Sequence, residues 1–219
     1  MKLENSRIEK KFILGKQKKD YFEKLLIINN FKKMFPDRMI SSIYIDTVDY
    51  DFAKDNINGI SERKKIRFRW YNDDLDNIFI EQKNKSNFNT SKNIKKLDFK
   101  VDKKNLLVSL KKYFKKIYFK NKNNFNYKFI LKTNYKRSYW LSNDKKFRAT
   151  IDIDINTNSM NNFSKPIYLG DTVLEFKFDP FDEKFFRSFF AKGFSHLRSQ
   201  KYSKYVRSFI ELENSGLNN

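Results

Sequence analysis

Alternation of apolar and polar residues predicts β-strands along much of this chain. The clearest case is RKKIRFRWY (63–71), where basic residues take one parity and Ile66, Phe68 and Trp70 take the other. A period of two places successive side chains on opposite faces of a strand, so this strand has one cationic and one apolar face. The pattern predicts further strands at 5–14, 77–84, 125–142, 146–155 and 172–178, and a short strand followed by a turn within 41–52.

Apolar residues at helical spacing predict helices between and after these strands. In 16–31, for example, Tyr21, Phe22 and Leu25 fall on one side of a helix. Similar spacing predicts helices at 103–117, 181–194 and 201–214. The polar loop NDDLD and the Asn143-Asp144 pair each indicate the turn of a hairpin. Many antiparallel strands with a few helices are typical of an α+β fold, here in a single domain over residues 1–219.

Composition narrows the class of protein. The 219 residues are 39% hydrophobic and include no cysteine, which excludes disulfides and thiolate metal sites. The N-terminal MKLENSRIEKKF has no apolar run suited to a signal peptide. No stretch approaches 18 consecutive apolar residues, so no membrane-spanning segment is expected. The sequence therefore predicts a soluble, cytoplasmic protein.

The charge balance is strongly positive, with 47 Lys and Arg against 26 Asp and Glu and a formal net charge of +21. Such an excess attracts polyanions, whether nucleic acid, acidic lipid or polyphosphate. Alternatively, much of the excess is solvated surface, as in the run KNKSNFNTSKNIKK. Aromatic residues among the lysines of YFKKIYFKNK could stack on bases, but they also fit the apolar face of a helix, so nucleic acid is an unlikely partner.

Charged residues alternate in several of the predicted strands, at spacings that place them about 7 Å apart on one face. If these strands curl into a barrel, the charged faces converge inside and the apolar faces pack against helices outside. A ring of cations repels itself, so such an interior would need water and a bound polyanion. The alternative is an open sheet with a solvated basic face, and periodicity alone leaves both open.

The charged positions also form separated blocks in a characteristic order. They resemble the VTC-type polyphosphate polymerase domain of the CYTH/triphosphate tunnel metalloenzyme superfamily over nearly the whole chain. The blocks contain Arg7, Glu9, Lys11 and Phe12; Ser42, Tyr44 and Asp46; Ile66, Arg67, Arg69 and Tyr71; Glu81 and Lys83; Tyr135, Arg137, Arg148 and Asp152; Glu175; and Lys201, Ser203 and Lys204.

This resemblance implies an antiparallel, closed β-barrel that forms a triphosphate tunnel and is flanked by helices, including a C-terminal one. It also implies a divalent metal, Mn²⁺ or Mg²⁺, held by Glu175, with Glu9 as a second candidate ligand. By the family pattern, the catalytic phosphate contacts are Lys11, Arg67, Arg69, Lys83, Arg137, Arg148, Lys201 and Lys204, and the further substrate-binding residues are Lys95, Tyr44 and Ser203.

The activity implied is transfer of the γ-phosphate of ATP to a growing polyphosphate chain, by a metal-dependent phosphotransferase. The alternatives are a triphosphatase with the same tunnel, and a non-catalytic polyanion binder. Arg7 stands where hydrolases and cyclases of the superfamily carry a first glutamate, which favours the polymerase branch. Asn56 stands where a further tunnel arginine is expected. Glu175 could instead pair with Lys177, and Asp152 could orient arginines rather than hold metal.

Overall fold

A computed structural model describes residues 7–15, 18–87, 89–102, 104–118, 126–161 and 165–216. The predicted starts of four elements, at residues 5, 16, 103 and 125, lie outside these ranges. The strands are β1 (Ile8–Leu14), β2 (Phe31–Thr47), β3 (Arg63–Tyr71), β4 (Phe79–Ser86), β5 (Asn89–Lys96), β6 (Tyr127–Ser142), β7 (Arg148–Ser159), β8 (Ile167–Tyr168) and β9 (Thr172–Phe178), and the helices are α1 (Lys19–Ile28), α2 (Asp51–Ile57), α3 (Leu106–Tyr118), α4 (Glu183–Gly193) and α5 (Lys204–Asn214).

The strands form one antiparallel sheet in the order β1-β9-β7-β6-β2-β3-β4-β5, with β8 beside β7. Strands β1 and β4 lie towards opposite ends of this order, yet Lys83 Nζ of β4 is 3.7 Å from a carboxylate oxygen of Glu9 on β1. The sheet therefore curls until its two ends meet through side chains. This confirms the predicted antiparallel tunnel fold with flanking helices, in the form of a curled half-barrel.

The outer face of the sheet is apolar because helices cover it on both halves. On one half, Phe176 and Phe178 of β9 pack with Phe186 of α4, in a cluster that α1 also joins. On the other half, Phe68 of β3 packs with Phe114 of α3. Because side chains alternate along a strand, burying these aromatic rings outside leaves the charged residues of the same strands on the concave inner face.

Two elements differ from the sequence prediction around residue 50. Strand β2 is 17 residues long rather than short, and the expected turn after it is followed by helix α2. The side chain of Asp46 accepts hydrogen bonds from the backbone amides of Phe52 and Ala53, which stabilises the start of α2. This helix has only seven residues, too few to give a clear apolar period.

Strand β5 was also missed, because all eight of its residues are exposed and none shows apolar alternation. It is held by its backbone ladder with β4, in which Lys83 lies opposite Lys92. Within the ranges that the structure covers, no helix is both long enough and apolar enough to cross a membrane.

Candidate functional site

The concave face of the sheet encloses two connected cavities. The inner cavity has a volume of about 270 Å³ and the outer cavity about 750 Å³. Among the residues that the structure describes, nine cationic side chains and three carboxylates line the inner cavity, so it has a strong positive excess. Within the described ranges, the residues that line both cavities are Glu9, Lys11, Lys65, Lys83 and Ser203, and the other cations of the inner cavity are Arg67, Arg69, Lys92, Arg137, Lys177 and Lys204.

Glu81 orients the two arginines of β3. It lies opposite Arg67 in the β3–β4 ladder and accepts hydrogen bonds from Arg67 Nε at 2.9 Å and Nη2 at 2.6 Å. Arg69 Nη1 is 3.7 Å from Glu81 Oε1, and Lys92 Nζ of β5 is 3.5 Å from Glu81 Oε2. Burial opposes the ionisation of Glu81, but these cations outweigh it and lower the pKa of its carboxyl to about 2. Arg67 also donates to Tyr44 Oη at 3.1 Å.

Asp152 orients two further cations from different elements. It is fully buried on β7 and accepts from Arg137 Nε and Nη2 of β6 at 2.5 and 2.7 Å. Lys204 Nζ, at the start of α5, donates to the same carboxylate. This geometry matches the interpretation that Asp152 orients an arginine. Asp154, two residues further along, is exposed and does not join it.

Glu175 and Glu9 share one lysine. Lys177 Nζ lies 2.8 Å from a carboxylate oxygen of each. Lys11 Nζ is 3.8 Å from Glu175 and donates to the backbone carbonyl of Tyr202 at 2.9 Å. Burial raises the pKa of the Glu175 carboxyl, but Lys11, Lys177 and Arg137 outweigh this and lower it to about 2. Burial and the charge of Glu175 raise the pKa of the Glu9 carboxyl, but Lys177 and Lys83 outweigh them and lower it, so both carboxylates are charged at neutral pH.

These two carboxylates form a limited donor set for a metal. Mg²⁺ is usually bound by one or two carboxylates, with phosphate oxygens and water completing its shell. The described residues include no cluster of three or more acidic or histidine side chains suited to a metal. Glu175 and Glu9 thus fit a divalent ion that arrives with phosphate ligands, provided that the Lys177 ammonium moves aside.

Helix α5 is fixed to the sheet through Tyr205. Its hydroxyl donates to the fully buried carboxylate of Asp46, and its ring stacks on Tyr44 with 4.9 Å between centroids. The neighbouring residues Ser203 and Lys204 both line the inner cavity. Asp46 therefore positions two cavity residues through the helix, without touching the cavity itself.

The structure brings most of the predicted site residues together. Lys201 lines only the outer cavity. Arg148 lies opposite Lys177 in the β7–β9 ladder and on the same face as Asp152, but it is exposed and lines neither cavity. Those that line the inner cavity are Lys11, Arg67, Arg69, Lys83, Arg137, Lys204, Tyr44, Ser203, Glu175 and Glu9.

The predicted placement of Lys95 is wrong. Lys95 lies opposite Ile80, whose side chain belongs to the outer apolar core, so Lys95 projects from the outer face of the sheet. Its Nζ is 3.9 Å from Asp98 and its side chain is 60% exposed. Lys92 occupies the inner face instead, because it pairs with Lys83. The register of this hairpin decides which lysine faces inward.

Sequence reasoning assigned no site role to three cations that line the inner cavity among the described residues: Lys65, Lys177 and Lys92. Lys65 shares its parity with Arg67, and Lys177 shares its parity with Glu175, so alternation contained the signal for both. Nothing local distinguishes Lys92 within its Lys- and Asn-rich run.

Comparison with known families agrees with the geometry of this site. The sequence matches the VTC domain family over residues 6–212. The chain belongs to this family. The earlier resemblance is thereby confirmed, and the matched range includes every candidate residue of this VTC domain.

Solved structures similar to this VTC domain share its fold at low sequence identity. A candidate adenylate cyclase from Vibrio parahaemolyticus is 14% identical, with a TM-score of 0.54 over 92% of this chain and 96% of that one. Another from Bacillus halodurans is 12% identical, with a TM-score of 0.56 over 93% and 96%. A third, from Hippeastrum, is 12% identical with a TM-score of 0.54 over 95% and 96%, and it is described as having a dominant triphosphatase activity. No curated protein matches the sequence.

Proposed function

We propose that this VTC domain is a metal-dependent ATP:polyphosphate phosphotransferase that extends an inorganic polyphosphate chain within the half-barrel. The observation that carries the proposal is the convergence of nine cations of the described part of the chain, from six strands and one helix, on an inner cavity of about 270 Å³. ATP and polyphosphate are its expected partners, and the chain acts as one cytoplasmic tunnel domain.

A linear chain of phosphates suits this lining. The cations outnumber the carboxylates nine to three, so the cavity attracts an anion of high charge density. Arg67 and Arg137 are each held by two hydrogen bonds to a carboxylate, which fixes the plane of the guanidinium group. A fixed planar guanidinium can present its remaining N–H groups to phosphate oxygens with little loss of entropy.

Phosphoryl transfer requires mainly that the protein position the reactants and neutralise their charge. The terminal oxygen of the polyphosphate chain attacks the γ-phosphorus of ATP, and the bond from that phosphorus to the β,γ-bridging oxygen breaks. ADP leaves with the bridging oxygen, so no side-chain nucleophile is needed. Arg67, Arg69 and Lys204 hold the phosphate oxygens in line. Glu175 and Glu9 would hold a divalent ion, which would supply further neutralisation of the phosphate charge.

A triphosphatase is the second candidate, with water in place of the polymer end. The Hippeastrum protein, which shares this fold, is described as having such an activity. The outer cavity, about 750 Å³ in volume, is wide enough to bring water to the inner one. The two activities therefore differ in the acceptor that reaches the γ-phosphorus, while the same cations bind the triphosphate.

Incubation of the purified protein with ATP and Mn²⁺, followed by gel sizing of the phosphate products, tests the proposal. Chains longer than triphosphate support the polymerase. Orthophosphate alone would replace it with the triphosphatase. Binding of tripolyphosphate that persists in EDTA, with no ATP consumed, would leave only a polyanion-binding domain.

A further inference from the structure

Lys65 occupies the junction of the two cavities. It lies on β3 two residues before Arg67, projects from the same face and lines both the inner and the outer cavity. Its Nζ donates a hydrogen bond to Ser203 Oγ at 2.6 Å, at the start of α5. A phosphate chain that passes from one cavity to the other must therefore pass this ammonium group.

Lys65 differs from the other cations of the inner cavity in its partners. Each of the other eight lies within 4.0 Å of a carboxylate oxygen. Within the ranges that the structure describes, Lys65 has no carboxylate inside that distance. Glu9 lines the same two cavities, but its oxygens are engaged by Lys177 and Lys83.

Four cations act on Lys65 from the surrounding elements: Lys11 on β1, Arg67 on its own strand, Lys83 on β4 and Lys204 on α5. The described residues that line the outer cavity add the cations Lys10, Arg63, Lys64, Lys85, Lys201 and Arg207, and the carboxylate of Glu9, which Lys177 and Lys83 engage. The neighbouring side chain of α2 at this cavity, Asn56, carries no charge. Burial lowers the pKa of the Lys65 ammonium well below its ordinary value of 10.5, and four of these cations lower it further.

An anion at the junction would reverse this balance. Phosphate oxygens would give the Lys65 ammonium an acceptor and would offset the charge of the surrounding cations. We propose that Lys65 is a further phosphate-binding residue at the junction of the two cavities, and that it takes up a proton when a polyphosphate chain enters. This inference rests on the proposed function only in taking a chain of phosphates as the ligand.

The proposal predicts a specific pH dependence. Where Lys65 is neutral in the free protein and charged in the complex, each complex formed takes up about one proton. The dissociation constant for tripolyphosphate then rises by about tenfold for each pH unit through that range. An arginine at this position stays charged throughout, so it would bind phosphate without the linked proton.

Calorimetric titration with tripolyphosphate, without metal, measures this linkage. Titrations at about pH 8.5 in two buffers with different ionisation enthalpies give the number of protons taken up, and the comparison between variants removes the contribution of the last ionisation of the phosphates themselves. We expect about one more proton for the wild type than for Lys65→Arg, which should still bind. Lys65→Met should bind about tenfold more weakly and lose the extra proton.

Lys132→Met is the matched control. Burial also lowers the pKa of Lys132, but it lies against Trp70 and lines neither cavity, so this variant should retain wild-type proton uptake. Equal proton uptake by the wild type and Lys65→Arg would overturn the linkage, and wild-type affinity in Lys65→Met would overturn the binding role. Linked binding without ATP turnover would overturn the proposed function and leave this inference standing.

Discussion

The inner and outer cavities are both cationic, but among the described residues carboxylates pair with eight of the nine inner cations and with only Arg207 of the six cations that line the outer cavity alone. In the inner cavity Glu81 and Asp152 bind the guanidinium groups of Arg67 and Arg137 at 2.5 to 2.9 Å. In the outer cavity Lys201 has no ion pair with any described carboxylate. A cation fixed by a carboxylate is oriented before the substrate arrives, whereas a solvated cation contributes mainly an attractive field.

The difference suggests that the two cavities have different functions along the path of a phosphate chain. Fixed cations can select a geometry and hold the reacting phosphates in line. Solvated cations raise the local concentration of an anion, and salt screens their effect over about 10 Å at ordinary ionic strength. Variants in the two cavities should therefore differ in both the size and the salt dependence of their effects.

The largest effect is expected at Glu175. Glu175→Gln keeps the shape of the side chain but removes the charge proposed to hold the metal, so turnover of ATP should fall by about 100-fold or more. Tripolyphosphate binding without metal should be equal or tighter, because a negative charge has left the cavity. Phosphate release assays and calorimetry measure the two quantities.

Glu183→Gln is the control for this variant, since Glu183 lies on α4, pairs with Arg187 and lines neither cavity. Wild-type turnover in Glu175→Gln would show that this residue has no part in the mechanism. It would also contradict the contrast between an inner cavity that supports the reaction and an outer cavity that only attracts the anion.

Acid should weaken the fold through the same inner carboxylates. The pKa values of Glu81 and Glu175 are about 2, below their ordinary value of 4.5. Their stabilisation is therefore complete above about pH 4.5 and is lost as the pH falls towards 2, by about 3 kcal/mol at most for each group. Denaturant unfolding across this range measures the loss.

In Glu81→Gln the loss of unfolding free energy between pH 4.5 and 2 should be smaller by the contribution of Glu81. In Glu213→Gln, at an exposed position on α5, this loss should be the same as in the wild type. An identical acid profile for the wild type and Glu81→Gln would show that the inner cations do not depend on this carboxylate.

Substitutions of two arginines on one face of β3 allow a direct comparison of the two cavities. Arg67→Met removes an inner, carboxylate-held cation and should weaken tripolyphosphate binding by about 30-fold, or about 2 kcal/mol. Arg63→Met removes a cation of the outer cavity and should weaken binding only a few-fold, with the difference vanishing as salt is raised. Calorimetry at two salt concentrations measures both, and equal losses that share one salt dependence would contradict this difference in function between the cavities.

The smallest effect is expected behind the inner cavity, at Tyr205. Tyr205→Phe removes the hydroxyl that donates to Asp46 but keeps the ring on Tyr44, and it should cost about 1 kcal/mol of stability. Lys204 lies next to Tyr205 at the start of the same helix, so a looser helix start should displace its ammonium group. The KM for ATP should then rise a few-fold, while kcat changes less. Tyr168→Phe, at an exposed position, is the control. An unchanged KM would limit Tyr205 to a structural role.

The sequence predicted most of the strands because their local alternation is strong. In β3 the apolar residues Ile66, Phe68 and Trp70 are all buried, as their parity indicates. Strand β5 was missed because its backbone ladder with β4 holds it in place without any buried side chain. Helix α2 was missed because it depends on a cap from Asp46, five residues before it begins.

The site was predicted less completely, since pairing across strands depends on register. Parity placed Arg67 and Arg69 on the inner face, but it could not show that Glu81 lies opposite Arg67. The same limit led to Lys95 in place of Lys92. Only the family resemblance indicated that the distant sequence blocks meet at one site. The roles of the individual residues stay predictions that the variants above can test.

Strand β3 also restricts how this gene can vary in length. Its inner positions carry cations and its outer positions carry fully buried rings, with Phe68 and Trp70 no more than 1% exposed. Because side chains alternate, inserting or deleting one codon in the middle of this strand would turn the following arginines into the apolar layer and the following rings into the cavity. Natural indels among homologues should therefore collect in the connecting loops and spare this nine-residue stretch.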